Sequence, residues 1–206
     1  LSHTSNKPPS GAIHQRAAGF VGGIAINRQW SDRTSVRTEL LFIQKGDRLT
    51  TQAEELKLRI NYVEIPVLFV FSPASLQSQV VLAVEFGPSF GYGLGGKYWL
   101  KSPATPQQGA IVFGEPDPNS PSQNIFFDNP IDIGLQLGGL LTIKQRLIID
   151  FRYGFGLMSM TAPPDPVPAG RTKSEYITRN GVFQISLGWR MGRKDLVEST
   201  SYPQNP

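Results

Sequence analysis

The stretch 147–157 reads Leu-Ile-Ile-Asp-Phe-Arg-Tyr-Gly-Phe-Gly-Leu and alternates two kinds of side chain. Successive side chains of an extended strand point to opposite sides. One side therefore carries leucine, isoleucine, phenylalanine and tyrosine, and the other carries Asp150, Arg152 and two glycines. The pattern predicts a β-strand with one apolar face.

The same alternation recurs in six further stretches, so the sequence predicts seven strands. They span residues 19–26 (ending at Trp30), 36–43, 56–71, 80–93, 131–143, 147–157 and 183–191. In the third strand the apolar phase slips by one residue at Tyr62-Val63, which predicts a β-bulge there.

The predicted connections alternate in length. Those around residues 31, 75 and 144 are short, whereas those around residues 50, 108 and 166 are long, with 97–129 and 160–176 predicted as surface loops. Transmembrane barrels have short periplasmic turns and longer extracellular loops, and bacterial single-chain barrels have even strand numbers. We therefore expect a first strand before Leu1, with residues 1–15 as the loop that follows it.

The predicted fold is all-β: an eight-stranded, antiparallel, up-and-down transmembrane β-barrel. Residues 1–192 would form the single barrel domain, and 193–206 a polar tail. A seven-stranded open sheet is the alternative. The chain has no cysteine, which excludes disulfides and thiolate metal sites. Its lysines and arginines are scattered and its net charge is only +4, which gives nucleic-acid binding no support.

The sequence also indicates which face meets lipid. A soluble lipocalin-type barrel would turn its apolar face inward, around a ligand. Here the polar face carries acids and bases in similar number, as a closed interior with paired charges requires. This predicted lumen network comprises Arg37, Glu39, Arg59, Glu64, Glu85, Asp132, Asp150, Arg152 and Arg190. Aromatic residues near strand ends predict interfacial girdles at Trp30, Phe42, Phe71, Tyr92, Tyr98, Trp99, Tyr176 and Trp189.

Four segments carry a resemblance to a known family. They are Thr38-Glu39-Leu40-Leu41-Phe42 with Gln44-Lys45-Gly46, Asn61-Tyr62-Val63-Glu64-Ile65-Pro66, Phe86-Gly87-Pro88-Ser89 and Ile185-Ser186-Leu187-Gly188-Trp189. From about Gly19 to Gly192 the chain resembles the PorT-like outer-membrane β-barrel family of Bacteroidota, a porin family of small eight-stranded barrels. The resemblance implies the outer membrane, with the best known members accessory to gliding and type IX secretion. The proline-rich loops and the tail depart from the family pattern.

Candidate catalytic chemistry is sparse. The only histidines, His3 and His14, fall in the predicted first loop, without the positioned serine and acid of a hydrolase. The glycine run at 91–96 follows a strand but precedes no helix, so it does not predict a phosphate loop. We expect no catalytic residue, no cofactor, no metal and no small-molecule substrate.

The functional expectation is a non-enzymatic accessory or scaffold subunit of a larger outer-membrane assembly. Its partners would be outer-membrane lipid and other outer-membrane or periplasmic proteins. Long loops would face outward, and the short turns and C-terminus would lie in the periplasm. The alternatives are a stand-alone structural or adhesin-like barrel whose loops bind external surfaces, a lipid-modifying enzyme, and a narrow porin.

Overall fold

The structure, a computed structural model, describes residues 2–4, 13–76, 78–103, 105–114, 124–161 and 179–191. These residues form β-strands and turns without an α-helix. The strands are β1 (Ser2–Thr4), β2 (Ile13–Arg16), β3 (Val21–Gln29), β4 (Thr34–Thr50), β5 (Glu55–Phe71), β6 (Val80–Lys101), β7 (Gln107–Phe113), β8 (Ile125–Phe127), β9 (Ile131–Ile143), β10 (Leu147–Gly156) and β11 (Asn180–Trp189). In this part of the chain no helix is long and apolar enough to cross a membrane.

The strands form one sheet that follows chain order. Strands β4, β5, β6, β9, β10 and β11 are successive antiparallel neighbours. Strands β2 and β3 both pair with β4, and between them the Gln44 backbone N–H donates to the carbonyl oxygen of Phe20. They therefore act as one interrupted strand. Strand β7 extends the sheet beside β6 and pairs in parallel with β8.

The sheet curls so that its two ends approach each other. Strand β1 pairs with β11 at one end of the sheet, and it also lies close to β2 and β4 at the other end. Nearer the short turns, the outer edges of β3 and β11 have no neighbouring strand among the described residues. The all-β antiparallel fold is confirmed as a curled half-barrel, whereas the eighth strand before Leu1 stays a prediction.

Three tight connections lie together at one end of the sheet. The backbone N–H groups of Trp30 and Ser31 both donate to the carbonyl oxygen of Thr34. At the β9–β10 hairpin Lys144 and Gln145 adopt φ values of 50° and 56°, as a two-residue turn matched to strand twist requires. The connections around residues 31, 75 and 144 therefore lie at one end of the sheet, as the sequence predicts. The connection around residue 50 lies at the other end, but its predicted length is wrong: only residues 51–54 separate β4 from β5, and the Thr51 backbone N–H donates to the carbonyl oxygen of Glu54 at 2.8 Å.

The predicted loops contain strands. Within 97–129, which the sequence predicts as a loop, β6 continues to Lys101 and is followed by β7 and β8. Within 1–15 the backbone forms β1 and most of β2. These segments were predicted as loops because their sequences are polar. A strand whose outer face meets water has no apolar outer face, so it lacks the alternation on which the prediction depends. Of the predicted loop 160–176 only Met160 and Thr161 are described, and the tail 193–206 lies outside the described residues.

The predicted bulge is on the wrong strand. The register passes from Asn61 opposite Gly95 to Tyr62 opposite Gly93, so the extra residue is Leu94 of β6. Strand β5 keeps its phase, with Ile60 and Tyr62 buried on the inner side. The apolar residues of β5 lie on the inner face up to Tyr62, whereas from Val63 onward the outer face is apolar. In the sequence this change of face has the same pattern as an extra residue in the strand.

Apolar side chains close both ends of the interior. Near the short turns Val70, Val81, Ala83 and Leu140 form one buried cluster. At the other end the cluster comprises Ile43, Ile60, Tyr62, Tyr98, Ile111, Phe127 and Met160. Charged side chains lie between the two clusters, whereas the outward side chains of β4–β6 and β9–β11 form an exposed apolar belt.

Candidate functional site: a charged network fills the lumen

Two arginines hold three carboxylates in the first half of the network. Arg152 contacts Glu39 through two nitrogens, at 2.9 and 3.2 Å, and reaches Glu85 at 3.0 Å and Asp150 at 3.0 Å. Arg37 contacts the same three carboxylates, with distances of 3.3 Å to Glu85 and 3.2 Å to Asp150. Each carboxylate is thus shared by both guanidinium groups, which offsets the cost of burying it.

A lysine organises the second half. The Lys45 ammonium lies 2.8 Å from Asp132 Oδ2 and also donates to Glu64. The Asn180 amide donates to the same Asp132 oxygen at 2.8 Å, and Lys45 lies 4.9 Å from the ring centre of Tyr62. Lys45, Glu64 and Asp132 all have side chains at most 7% exposed.

Gln136 joins the two halves. Its amide nitrogen donates to Glu64, and its amide oxygen accepts a hydrogen bond from Arg152 at 3.0 Å. A side chain that is both donor and acceptor can link a carboxylate to a guanidinium. The charged residues therefore form one connected network across the lumen.

Glycine makes room for the central arginine. Gly138 pairs with Arg152 of β10 on one side and with Glu85 of β6 on the other. A Cβ atom added at Gly138 would lie 2.6 Å from Arg152 Cγ. The arginine can cross the lumen because this position has no side chain.

The network leaves little free space. A cavity of about 20 Å³ lies among Lys45, Glu64, Asp132 and Asn180. That volume holds about one water molecule. This cavity lies between the two apolar clusters, so the described side chains of the network occupy most of the space around it.

The structure brings seven of the nine predicted lumen residues together: Arg37, Glu39, Glu64, Glu85, Asp132, Asp150 and Arg152. Arg59 was wrongly predicted, because β5 keeps its phase and Arg59 lies on the outer side, opposite Gly46 and Lys97. Arg190 follows the end of β11, is half-buried, and makes no ion pair with the network among the described residues.

Sequence reasoning missed Lys45, Gln136 and Asn180. Lys45 lies beyond the end of the predicted strand 36–43, but β4 continues to Thr50. Alternation could have identified it, because Lys45 lies on the same face of the strand as Arg37 and Glu39. Gln136 is likewise in phase with Asp132, whereas nothing in the sequence pointed to Asn180.

Most predicted girdle aromatics lie at the two edges of the apolar belt. Exposed at these edges are Trp30, Phe71 and Trp189, near the short turns, and Phe42 and Tyr92, at the other end. Tyr98 was wrongly predicted: it is only 6% exposed and packs in the inner apolar cluster, because the extra residue Leu94 reverses the phase of β6. Trp99 faces outward beyond the belt, and Tyr176 lies outside the described residues.

The two histidines considered for catalysis are described only by their backbones. The backbones of His3 and His14 lie in β1 and β2, and their side chains lie outside the described residues. Among the residues that are described, no group of three or more histidine, cysteine, aspartate or glutamate side chains is arranged to hold a metal ion.

Comparison with known proteins agrees with the architecture. No curated protein and no solved structure matches the chain. A family model described as an outer membrane protein beta-barrel domain matches residues 3–162, which include most of the strands and all of the lumen network except Asn180. A curled antiparallel sheet with an apolar outer belt and a charged interior is the expected form of such a domain. The chain therefore belongs to the outer-membrane β-barrel domain family, and its location is the outer membrane.

Proposed function

We propose that this protein is a non-enzymatic accessory or scaffold subunit of a larger outer-membrane assembly. The observation that carries the proposal is the filled lumen, in which the single side chain of Arg152 contacts three carboxylates. Side chains that are buried and paired in this way occupy space that a conducting channel would need, which supports a role other than transport. An outer-membrane barrel without a pore then acts through its surfaces.

The unequal strand lengths supply such a surface. Strands β4 and β5 have 17 residues each and β6 has 22, whereas β10 has 10. A transmembrane β-strand needs about 9–11 residues. One side of the barrel therefore continues beyond the membrane as a wall formed by β4, β5 and β6, and β7 and β8 widen it.

We further propose that this wall and the long connections face the outside of the cell, with the short turns in the periplasm. The length asymmetry of transmembrane barrels supports this orientation. The segments that resemble the PorT-like family of Bacteroidota support an accessory role in secretion or transport as the specific form of the function.

The test is crosslinking in native outer membranes, followed by isolation of the barrel in mild detergent. We expect a defined partner protein in the isolated complex. A variant in which a Gly-Ser linker of about twelve residues replaces 102–130 should keep the heat-dependent gel shift of a folded barrel and lose that partner, because such a linker can span the distance from Lys101 back to Ile131, which pairs with Tyr92. A protein that crosslinks only to itself, together with steady conductance in planar bilayers, would contradict the proposal.

The strand pair β7–β8 favours a second candidate function, a stand-alone adhesin-like barrel. It lies beyond β6 and exposes Val112 to solvent. In that case the same deletion should abolish binding of whole cells to an external surface, and no crosslinked partner should be found.

A further inference from the structure

The outer apolar belt ends at a defined row of residues on the β4–β6 side. Phe42 of β4, Val63 of β5 and Tyr92 of β6 pair across this side of the sheet. The next outward row contains Gln44 and Asn61, whose side chains hydrogen-bond to each other at 3.1 Å. The wall beyond this row is thus polar on its outer face.

That outer face is strongly basic. Cross-strand pairing places Arg59 beside Lys97, and Lys57 beside both Arg48 and Trp99. We call the basic wall the outward residues Arg48, Lys57, Arg59, Lys97 and Lys101. With Glu55, which pairs between Thr50 and Lys101, the surface carries five cations and one carboxylate. Its net charge of +4 equals the formal charge of the whole chain, although these residues are scattered in the sequence.

Most of this charge is not neutralised by the part of the chain that the structure describes. Glu55 contacts Arg48 at 3.2 Å and Lys101 at 3.9 Å. Among the described residues no carboxylate lies within ion-pair distance of Lys57, Arg59 or Lys97. The Arg59 Nε atom is also buried, and no described residue accepts a hydrogen bond from it. A buried unpaired donor on a basic surface indicates a missing acceptor.

The surface also has a concave part. A pocket of about 520 Å³ is lined by Arg48, Lys57 and Arg59 together with Trp99. The Lys57 ammonium lies 5.9 Å from the ring centre of Trp99. Tryptophan beside arginine and lysine is typical of the membrane–water interface, where an apolar ring and charged groups meet the headgroups.

The position of the wall fits one ligand class. Arg59 and Lys97 lie about four residues beyond the last apolar row, which is about 13 Å along a tilted strand. The headgroup region adds roughly 5–8 Å to each side of the hydrocarbon core, and long basic side chains can reach down into it. We propose that the basic wall binds the phosphate groups of lipid headgroups in the leaflet that surrounds this end of the barrel.

The test measures retention of diphosphorylated lipid A by the purified full chain. The protein is reconstituted into phosphatidylcholine nanodiscs that contain lipid A, released into detergent, and analysed by native mass spectrometry. We expect bound lipid A on the wild type. The variant Lys57→Gln/Arg59→Gln should bind about 30-fold more weakly, since one basic residue at an anionic membrane surface contributes roughly fivefold.

Two further variants control the result. Lys97→Gln/Lys101→Gln changes two exposed residues, so it tests the surface even if the first variant folds poorly. Lys144→Gln/Arg146→Gln removes two cations from the short-turn end and should leave lipid A retention unchanged. Equal loss in this control, or unchanged retention in both wall variants, would overturn the proposal.

A competition experiment separates a lipid from a soluble anion. Millimolar inorganic phosphate should not displace lipid A, since the acyl chains also hold it in the belt. Complete displacement would assign the surface to a soluble anion and overturn the lipid proposal. The lipid-binding proposal requires that the barrel lies in the membrane, but it does not require the accessory role. Failure to find a protein partner would therefore contradict the accessory role and leave the lipid A result intact.

Discussion

Replacing the central arginine of the lumen tests whether the charged network stabilises the barrel. In the variant Arg152→Met, Glu39, Glu85 and Asp150 would lose every contact to that guanidinium. Each carboxylate would keep only Arg37, so that three negative charges would share one positive charge. The substitution also leaves the Gln136 amide oxygen without the hydrogen bond that Arg152 donates at 3.0 Å.

The expected cost follows from the burial of these groups. The side chains of Arg152, Glu39, Glu85 and Asp150 are at most 2% exposed. Removal of one partner from a buried ion pair costs about 3–5 kcal/mol, because the remaining charge stays buried and uncompensated. We expect the free energy of unfolding of Arg152→Met to fall by an amount in that range.

The measurement is denaturant unfolding of the protein in lipid vesicles, followed by tryptophan fluorescence. Arg37→Met is the matched control. It removes the same charge, but Arg37 is 11% exposed and its loss leaves all three carboxylates in contact with Arg152. The control should therefore lose less stability than Arg152→Met.

Two outcomes would refute the reasoning. One is an unfolding free energy of Arg152→Met within about 1 kcal/mol of the wild type, the level of an exposed ion pair. The other is a failure of Glu39→Gln to rescue Arg152→Met. Removing one uncompensated carboxylate should restore roughly 1–2 kcal/mol, since residues in direct contact couple by about 0.5–3 kcal/mol.

Two other substitutions test the packing of the lumen and the assignment of the faces. Gly138→Ala should lower the free energy of unfolding by about 1–3 kcal/mol, because the new methyl group meets Arg152. Gly139→Ala should be tolerated, since the nearest atom to its added Cβ is 3.8 Å away. Equal losses of unfolding free energy in urea titrations would contradict this reasoning. Leu137→Arg, which puts a charge in the middle of the outer belt, should cost about 2–4 kcal/mol in vesicles, and Ile131→Arg at its edge only about 0–1 kcal/mol. Equal costs would show that Leu137 does not face lipid.

The membrane-spanning part could be predicted because its two faces meet different surroundings. In β10, from Ile149 onward, an apolar residue faces lipid and a charged or small residue faces the lumen at each step, so alternation alone gives the strand and its orientation. Arg37 and Glu39, two residues apart, share a face for the same reason. Seven residues of the lumen network could be predicted from such phases without knowledge of the final fold.

The inner and outer faces of the wall formed by β4, β5 and β6 could not be predicted in the same way. There the outer face is polar and the inner face is apolar, so Ile60 and Tyr62 resemble the lipid-facing residues of the next segment. Arg59 was placed in the lumen on this ground. The single extra residue Leu94 then exchanged the faces of Tyr98 and Lys97, and a local irregularity of this kind carries no composition signal.

The distribution of charge links the two surfaces. Within the connected network five carboxylates face three cations: Glu39, Glu64, Glu85, Asp132 and Asp150 against Arg37, Lys45 and Arg152. The basic wall outside carries an excess of positive charge. A network with more carboxylates than cations does not attract phosphate groups. The charge distribution therefore favours the outer face of β4–β6, and not the lumen, as the place of the phosphate binding proposed above.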